Sequence, residues 1–513
     1  MLITLLRPDL ETAMYAPQNN LRSLVVLLLC TLPLVAQAPT EIISIDAAAP
    51  SHGFPHYWEQ MFGSGRAILT LRHSWRSDLR AVKQITGLQY VRFHAIFHDE
   101  VGVYDEDNQG RPVYNFSYVD QIYDGLLAQG VRPFVEISFM PRKLAARQDL
   151  HAFWYKQNVA PPKDYAKWDD LVTQFVKHLV NRYGINEVAL WYFEVWNEPN
   201  IDFWTGVPAQ ETYFELYDHT ARDLKAVSQR LRVGGPSTAQ AAWVDSMIQH
   251  AVKTNVPLDF VSAHVYGNDK ASDVFKTNEN IPRDEMVCRA VKMVHDQIKA
   301  SPRPDIPLIW SEFNAAYDNQ VDVTDSIYMG PYMATTISQC DGLTQTMSYW
   351  ALSDVFEEQG VVKQPFYGGF GLIAAGGVPK PAFYAFELLH SLGDRRIDNG
   401  SRDVLVTKAK DGSLVIATWN LVNPGDKGAP KTVRLDFKGI SPGAVASISR
   451  VDEQHGDILA VYDKMGNPRY PSQAQIRQLQ QESKLPAPDQ KRLMNGRLTL
   501  DMPVNGLAVI RMK

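Results

Sequence analysis

The sequence predicts an α/β fold, a (β/α)8 barrel of the TIM type followed by an accessory C-terminal β-sandwich. Three observations support this prediction. Short β-branched or aromatic runs alternate with helical patterns between about residues 55 and 390. Polar side chains stand at the ends of at least five of those runs, and closely spaced alternating segments follow from about Asp398. The length of 513 residues also exceeds one ordinary core.

Eight runs have the length and composition of barrel strands. They are Glu59–Gly63, Tyr90–Ile96, Arg132–Ser138, Leu190–Trp196, Arg232–Gly235, Phe260–Tyr266, Pro307–Phe313 and Thr346–Ala351. The spacers Asp169–Tyr183 and Tyr213–Val227 carry apolar residues at helical intervals. An open doubly wound sheet would show the same alternation, but it normally has a glycine-rich phosphate turn after its first strand. The sequence GSGR at Gly63–Arg66 matches such a turn only in part.

The polar residues at the strand ends favour the barrel over the open sheet. They are His94, Glu198, His264, Glu312 and Asp354. In a parallel barrel the carboxyl ends of all strands meet on one face. We therefore expect these side chains to converge on one pocket.

The segments before and after the predicted barrel have a different sequence pattern from the barrel itself. Residues 51–395 are assigned to the barrel and residues 396–513 to the sandwich, whose short strands are separated by turn signals such as Asp411-Gly412 and Asn495-Gly496. Ser472–Ser483 is predicted to be a helix within the sandwich. Within residues 39–50, Glu41–Ala47 is predicted to add a further strand to the sandwich.

Residues 1–38 have the features of a secretory signal peptide. Ser23–Val35 is an apolar run too short to span a bilayer, and Ala36–Ala38 supplies a small-x-small cleavage pattern. Asp9 and Glu11 are unusual in a signal peptide, so Met14 is the expected start. These features predict export to the periplasm or the medium.

Composition narrows the class of partner. The net charge is -6 at pH 7, which gives no basic field for nucleic acid or for an anionic membrane surface. The mature chain would keep Cys288 and Cys340, whose pairing the sequence leaves open. The chain has 11 Trp, 22 Tyr and 21 Phe, and aromatic faces serve both as core and as platforms for sugar rings. A small neutral or weakly charged ligand is the expected partner.

Two glutamates occupy matched positions. Glu198 follows the strand-like run WYFEVWN, and Glu312 ends PLIWSEFN, 114 residues further along the chain. Two carboxyl groups facing one pocket are what glycoside hydrolysis requires, because one protonates the leaving oxygen and the other acts at the anomeric carbon. Unequal environments would keep one group protonated and the other ionised.

The sequence resembles glycoside hydrolase family 39, the family of β-xylosidases and α-L-iduronidases. The motif WNEP at Glu198 and a second glutamate at the end of the seventh strand are typical of its clan of retaining (β/α)8 glycosidases. Longer stretches narrow the resemblance: RFHAIFHDEVGVYDEDNQG, VSAHVYG, SYWALSDVFEEQG, FYGGFGLI and KPAFYAFELL. It covers essentially the whole mature chain and implies an exo-acting β-xylosidase that releases terminal xylose by double displacement, without a cofactor or metal.

The resemblance also implies roles for individual residues. Glu198 would be the acid/base and Glu312 the nucleophile. The residues expected to bind the terminal sugar are His94, Asn197, His264, Tyr266, Trp350 and Glu358. One departure is visible, because the family often has T-E-W-N around the nucleophile and this chain has Ser311-Glu312-Phe313-Asn314.

Three alternatives remain open at this stage. Another activity of the same family, such as an α-L-arabinosidase or a β-glucosidase, would use the same pair. A carbohydrate-binding barrel without catalysis would be expected to lack one glutamate, and both are present. A metal site at His94 and His98, followed by Asp99 and Glu100, is disfavoured by the strand-like surroundings and by the lack of an H-E-x-x-H motif.

Overall fold

Eight parallel strands close into a barrel at the centre of the molecule. The computed structural model describes residues 40–512, so the predicted signal peptide lies outside the described residues. The strands are β1 (Thr40–Asp46), β2 (Ser51–Gly53), β3 (Met61–Arg66), β4 (Tyr90–His94), β5 (Tyr104–Glu106), β6 (Pro112–Tyr114), β7 (Arg132–Ile137), β8 (Tyr192–Val195), β9 (Arg232–Thr238), β10 (Phe260–His264), β11 (Leu308–Phe313), β12 (Thr346–Tyr349), β13 (Ile373–Ala374), β14 (Val378–Pro379), β15 (Arg395–Ile397), β16 (Val404–Lys408), β17 (Leu414–Trp419), β18 (Lys431–Lys438), β19 (Val445–Val451), β20 (Asp489–Arg492), β21 (Arg497–Met502) and β22 (Leu507–Met512).

Helices follow most of the barrel strands. They are α1 (His73–Ile85), α2 (Ser117–Leu127), α3 (Tyr165–Tyr183), α4 (Ile185–Val188), α5 (Ala209–Val227), α6 (Val244–Thr254), α7 (Ala271–Val274), α8 (Arg283–Ala300), α9 (Val321–Thr324), α10 (Met329–Gln339), α11 (Pro381–His390), α12 (Ile458–Lys464) and α13 (Gln473–Glu482), with short 3-10 helices at Ala67–Leu71 and Ala239–Ala241. None of the helices within residues 40–512 is long and apolar enough to cross a membrane.

The barrel confirms the predicted fold class. Its strands are β3, β4 and β7 to β12, which pair in chain order, and β12 closes on β3. Each predicted barrel strand overlaps one of these. The first begins at Met61 rather than Glu59, because the backbone N–H of Glu59 donates to the His56 carbonyl in a turn that precedes the strand.

Amphipathic helices cover the outside of the barrel. In α3 the buried side chains, which include Trp168, Leu171 and Phe175, recur at helical spacing. The Asp164 side chain caps the helix by accepting a hydrogen bond from the Ala166 N–H, and Gly184, with a φ of 80°, ends it. Each fully buried large apolar side chain contributes ~1.5–3 kcal/mol to folding.

The C-terminal strands, together with β1 and β2, form two sheets, of which the larger is antiparallel and the smaller is mixed. A seven-stranded sheet has the order β2-β15-β16-β17-β22-β19-β20, and a three-stranded sheet has the order β1-β18-β21. β1, the segment near residues 41–47, pairs in parallel with β18. The short strands β2, β15 and β20 were not predicted from the sequence.

A disulfide bond joins two barrel helices. Cys288 lies in α8 and Cys340 follows α10, and their sulfur atoms are bonded across a sequence separation of 52 residues. The disulfide therefore links α8, a helix after β10, to the end of α10, a helix after β11.

Asp354 does not join the other strand-end residues, which corrects the expectation that it faces the shared pocket. Its carboxylate accepts a hydrogen bond from the buried Lys380 Nζ at 2.9 Å, and Lys380 also donates to Asp325 at 2.7 Å and to the Gly369 carbonyl at 2.8 Å. Burial and the charge of Asp325 raise the pKa of Asp354 to about 6, although Lys380 opposes this rise. The cluster fastens the start of α11 to the loop that follows β12.

Replacing Lys380 with Met is expected to lower the free energy of unfolding by ~3–5 kcal/mol, because two buried carboxylates lose their cation. Denaturant unfolding followed by circular dichroism measures the change. The matched control is Lys292→Met, since the exposed Lys292–Asp296 pair contributes only ~0–1 kcal/mol. Equal effects of the two substitutions would contradict the structural role of Lys380.

Candidate active site

A cavity of about 440 Å³ opens where the barrel strands end. It is lined by the eight residues that were expected to act in catalysis or sugar binding: His94, Asn197, Glu198, His264, Tyr266, Glu312, Trp350 and Glu358. They come from β4, β8, β10, β11, β12 or the loops directly after these strands. The carboxyl-terminal face of the barrel therefore carries the candidate site, as expected for this architecture.

Glu312 is held from two sides at the floor of the cavity. Arg92 Nη1 donates to its Oε1 at 2.5 Å, and the Tyr266 hydroxyl donates to its Oε2 at 2.6 Å. The residue is only 3% exposed. Burial raises the pKa of Glu312, whereas the charges of Arg92 and His94 and the Tyr266 hydrogen bond oppose the rise. Both oxygens are fixed, so the carboxylate has one orientation towards the cavity.

Arg92 is a fully buried guanidinium below the cavity. Its Nε donates to Glu194 at 2.6 Å, and its Nη2 lies 2.8 Å from a Glu136 oxygen. Burial alone would lower the pKa of Arg92, but the charges of Glu136, Glu194 and Glu312 raise it above the ordinary value. The arginine is therefore a permanent cation that connects four neighbouring or facing strands of the barrel.

The same guanidinium also positions two polar residues. Arg92 Nη2 donates to the Asn197 Oδ1 and to the Ser237 Oγ, each at 3.0 Å. Because the Asn197 oxygen accepts this bond, its amide NH2 group is left to donate towards the cavity. Ser237 accepts from Arg92, so its own hydrogen is available to His264 Nε2, which lies 3.3 Å away.

Glu198 is paired with a neutral histidine. His264 Nδ1 lies 3.0 Å from the Glu198 Oε1, and His264 Nε2 lies 3.0 Å from the Ser311 Oγ. Burial, followed by the charges of Arg92 and His94, lowers the pKa of His264 well below its ordinary value. Since hydroxyl groups donate to Nε2, the proton of the ring lies on Nδ1 and faces Glu198.

The two glutamates have different proton affinities. Burial and the negative charge of Glu312 raise the pKa of Glu198 well above the ordinary value. Glu312 has Arg92 and Tyr266 to stabilise its ionised form, and Glu198 has only a neutral ring. The pair therefore holds its proton on Glu198 and its charge on Glu312.

The spacing of the pair constrains the chemistry. One oxygen of Glu198, one oxygen of Glu312 and one nitrogen of His264 all lie within 4.8 Å of one another. Carboxyl groups about 5–5.5 Å apart fit direct attack by one of them, whereas about 6.5–9.5 Å leaves room for an intervening water. The close approach of the nearest atoms is compatible with direct attack by one carboxylate.

His94 and Glu358 are two titratable residues that lie near each other on the cavity wall. His94 Nδ1 lies 2.7 Å from the Glu136 Oε2; burial lowers the pKa of His94, but Glu136 more than offsets this and raises it overall. His94 Nε2 is 3.9 Å from a Glu358 oxygen. Burial raises the pKa of Glu358 to about 8, so this carboxyl is mainly protonated at neutral pH and can donate to a hydroxyl group.

Trp350 forms an aromatic side of the cavity. Its ring lies 4.7 Å from the His94 ring and 5.8 Å from the Phe356 ring, measured between centroids. Gly63 in β3 makes room for it, because an added Cβ would overlap the indole. Gly63 therefore serves the packing of Trp350.

The backbone is strained where it carries the site. Trp196 and Glu198 have φ values of 71° and 46°, and Ser237 has a φ of 56°. Such left-handed conformations are costly for residues other than glycine and are concentrated at functional sites. The Glu198 N–H donates to the Ser237 carbonyl at 2.8 Å, which helps to hold this conformation.

Sequence reasoning missed the charged floor and the outer rim of the cavity. Arg92, Glu136 and Glu194 were not singled out, although a charged residue inside each of the apolar runs YVRFH, FVEI and YFEV was a usable signal. The outer rim adds His151, Phe153, Phe203, Gln240, Lys270, Asp273 and Tyr317. The alternative metal grouping does not form, because His98 faces Glu100 at 3.6 Å rather than His94.

Comparisons with known proteins agree over most of the chain. A sequence profile of glycosyl hydrolases family 39 matches residues 41–497. A β-xylosidase from Geobacillus stearothermophilus is 37% identical over 466 residues, which is 88% of this chain and 92% of that protein. The crystal structure of a family 39 enzyme from Xanthomonas axonopodis pv. citri is 33% identical, with a TM-score of 0.83 and coverage of 94% of this chain and 99% of that one. A monomeric β-xylosidase from Caulobacter crescentus is 32% identical, with a TM-score of 0.83 and coverage of 92% and 99%.

Replacing Arg92 with Met is expected to raise the pKa of Glu312, because the ionised carboxylate loses its nearest cation. If activity needs Glu312 ionised, the acidic limb of the kcat/KM profile should move to higher pH by about one unit or more. Arg92→Lys keeps a charge and should move the limb less, although it also lowers activity.

The control for this measurement is Arg232→Met, since Arg232 stacks on Tyr192 at the start of β9 rather than lining the cavity. Circular dichroism establishes that each variant is folded. An acidic limb that stays in place in both Arg92 variants would mean that Arg92 does not set the ionisation of Glu312.

Proposed function

The chain belongs to glycosyl hydrolases family 39, and from the geometry of its paired glutamates we propose that it is a retaining, exo-acting β-xylosidase that removes terminal xylose from xylo-oligosaccharides. The observation that carries the mechanism is the close approach of Glu198 and Glu312 in one cavity with unequal environments. The substrate is inferred from the β-xylosidases, which are 35–37% identical over 84–88% of this chain.

In the first step Glu312 acts as the nucleophile. Its carboxylate forms a bond to the anomeric carbon of the terminal sugar while the bond to the leaving oxygen breaks. Glu198 transfers its proton to that oxygen, so the alcohol leaves neutral. Asn197 is positioned by Arg92 to donate to the 2-hydroxyl of the sugar.

In the second step Glu198 acts as the base. Once Glu312 is an ester, its negative charge is gone, and one cause of the raised pKa of Glu198 disappears. Glu198 therefore accepts a proton from a water that attacks the anomeric carbon. The ester bond breaks, and Glu312 is released as a carboxylate.

Neutral sugars suit the charge of the cavity. Among the described residues that line it, six are acidic, one is a lysine, Lys270, and none is an arginine. A uronate would normally be bound by an arginine or lysine clamp, so this lining disfavours the α-L-iduronidase activity of relatives that are 23–27% identical over about half of the chain. The protonated Glu358 supports a sugar with hydroxyl groups at this wall.

A closed wall on one side of the cavity supports cleavage at the end of an oligosaccharide. Glu358 belongs to the loop after β12, and its carbonyl accepts a hydrogen bond from the Trp154 N–H at 2.7 Å. This contact links that loop to the loop after β7 and closes the wall beside Glu358. A wall at this position favours a terminal sugar over an internal one.

Export is part of the proposal. The signal-like residues 1–38 support it. The Cys288–Cys340 disulfide is consistent with an oxidising compartment.

The protein is expected to release p-nitrophenol from p-nitrophenyl β-D-xyloside faster than from the β-glucoside, the α-L-arabinoside or any aryl uronide. Proton NMR of the first-formed sugar should show β-xylose, because two displacements retain the configuration. First-formed α-xylose would remove the nucleophile role from Glu312. A faster reaction on another glycoside would change the proposed substrate and leave the mechanism in place.

The two glutamate variants should differ in what they can still do. Glu312→Ala should lose turnover by several orders of magnitude on every substrate, because no glycosyl ester can form. Glu198→Ala should still release an activated phenol in a burst, with a lowered KM, because only the second step needs the missing base.

Azide distinguishes the two roles. It should react with the glycosyl ester of Glu198→Ala to give the β-xylosyl azide, and it should replace the carboxylate in Glu312→Ala to give the α-xylosyl azide. The opposite pairing of products would show that the roles of the two residues are reversed.

A further inference from the structure

Three possible metal ligands converge at a second place in the molecule, away from the cavity. His56 Nδ1 lies 2.6 Å from the Glu59 Oε1, and His390 Nδ1 lies 2.9 and 2.8 Å from the two Glu59 oxygens. One donor atom from each residue lies within 4.8 Å of the other two. We refer to His56, Glu59 and His390 as the junction cluster.

The junction cluster lies where the chain enters and leaves the barrel. His56 and Glu59 precede β3, the first barrel strand, and His390 is the last residue of α11, which follows the last barrel strand. The Phe54 N–H donates to the Asp394 carbonyl at 2.8 Å, so the two segments are also joined through their backbones. This is the amino-terminal face of the barrel, and the catalytic cavity is on the opposite face.

The ring of His56 is held in the orientation that a metal ligand needs. Its Nε2 donates to the Leu392 carbonyl at 3.1 Å, and the ring stacks on Trp58 at 4.5 Å. Histidines that bind metals usually donate their second ring N–H to a carbonyl or a carboxylate, which fixes the ring and leaves the other nitrogen for the ion. For His56 the other ring nitrogen is Nδ1, which faces Glu59.

The junction cluster combines a buried carboxylate, which would hold an ion in place, with two partly exposed histidines, through which an ion could enter from solvent. The Glu59 side chain is 2% exposed, whereas those of His56 and His390 are 22% and 47% exposed. Two imidazoles and one carboxylate form a typical zinc ligand set, and solvent can supply the fourth position.

We propose that the junction cluster binds one divalent transition-metal ion of the zinc type. Ligand bonds of about 2.0–2.2 Å in a tetrahedron require donor atoms roughly 3.3–3.6 Å apart. The half-exposed His390 can widen its spacing of 2.8–2.9 Å from Glu59 by moving outwards. The spacing of 2.6 Å between His56 Nδ1 and Glu59 Oε1 has to widen by a rotation of the Glu59 carboxylate, because the His56 ring is held by the Leu392 carbonyl. On binding, the ion takes the place of the hydrogen bonds that now join the two rings to Glu59.

The proposed role is structural. An ion here would fasten the segment before β3 to the end of α11 and so clamp the closure of the barrel. It is independent of the proposed glycosidase activity, because the junction cluster has no residue in the catalytic cavity.

The test uses the full-length protein after dialysis against a chelator. Zinc chloride is titrated by calorimetry, and cobalt chloride is titrated with detection of its visible absorption, which is intense for tetrahedral sites. We expect one equivalent of zinc per chain and a rise in Tm on saturation. His390→Ala should weaken the affinity about 100-fold or more and abolish the rise in Tm.

His52→Ala is the matched control, because His52 is 48% exposed and also hydrogen-bonded to one carboxylate, that of Asp341. It should bind zinc like the unmodified protein, and both variants should hydrolyse substrate normally. Absence of zinc binding by the unmodified protein would overturn the proposal. It would also be overturned if His390→Ala bound zinc normally, and loss of that binding in Glu312→Gln would then place the ion among Glu198, His264 and Glu312.

Discussion

The buried guanidinium of Arg92 is the interaction on which the rest of the site depends. A cation with no exposure to water is tolerated only if carboxylates surround it with good hydrogen-bond geometry. Here Glu136, Glu194 and Glu312 meet that requirement, and they come from three different strands. The ion pairs between Arg92 and these three carboxylates therefore hold β4, β7, β8 and β11 in fixed relative positions. The same pairs fix the orientation of the Glu312 carboxylate.

The division of labour between the two glutamates follows from that constraint. Because Arg92 and Tyr266 already hold both oxygens of Glu312, the proton shared by the pair resides on Glu198. His264 adds to the asymmetry, since a neutral ring offers a hydrogen bond to Glu198 without a positive charge. Before attack, the negative charge of Glu312 raises the proton affinity of Glu198, so Glu198 can act as the acid. In the ester Glu312 has no charge, so the proton affinity of Glu198 falls and Glu198 can act as the base.

Much of this could be predicted from the sequence, because the relevant signals are local. Strand length, aromatic content and a polar residue at the strand end identified the barrel and brought Glu198 and Glu312 to one face. Arg92, Glu136 and Glu194 could have been found as single charges within apolar strands, but their mutual pairing depends on barrel closure. Asp354 has the same local signal as Glu312, yet Lys380, 26 residues later, draws it away from the cavity. The short strand β2 likewise depends on a distant partner, because it pairs with β15, which follows the barrel.

The central claim is that Glu312, held by Arg92, forms the covalent bond to the sugar. The most direct measurement is to inactivate the protein with a 2-deoxy-2-fluoro-β-xylosyl donor that has an activated leaving group, and to locate the label by mass spectrometry of proteolytic peptides. A single fluoroxylosyl group on Glu312 is the expected result, since the slowed second step traps the ester. A label on Glu198 or Glu358, or no label despite turnover of the donor, would contradict the assignment.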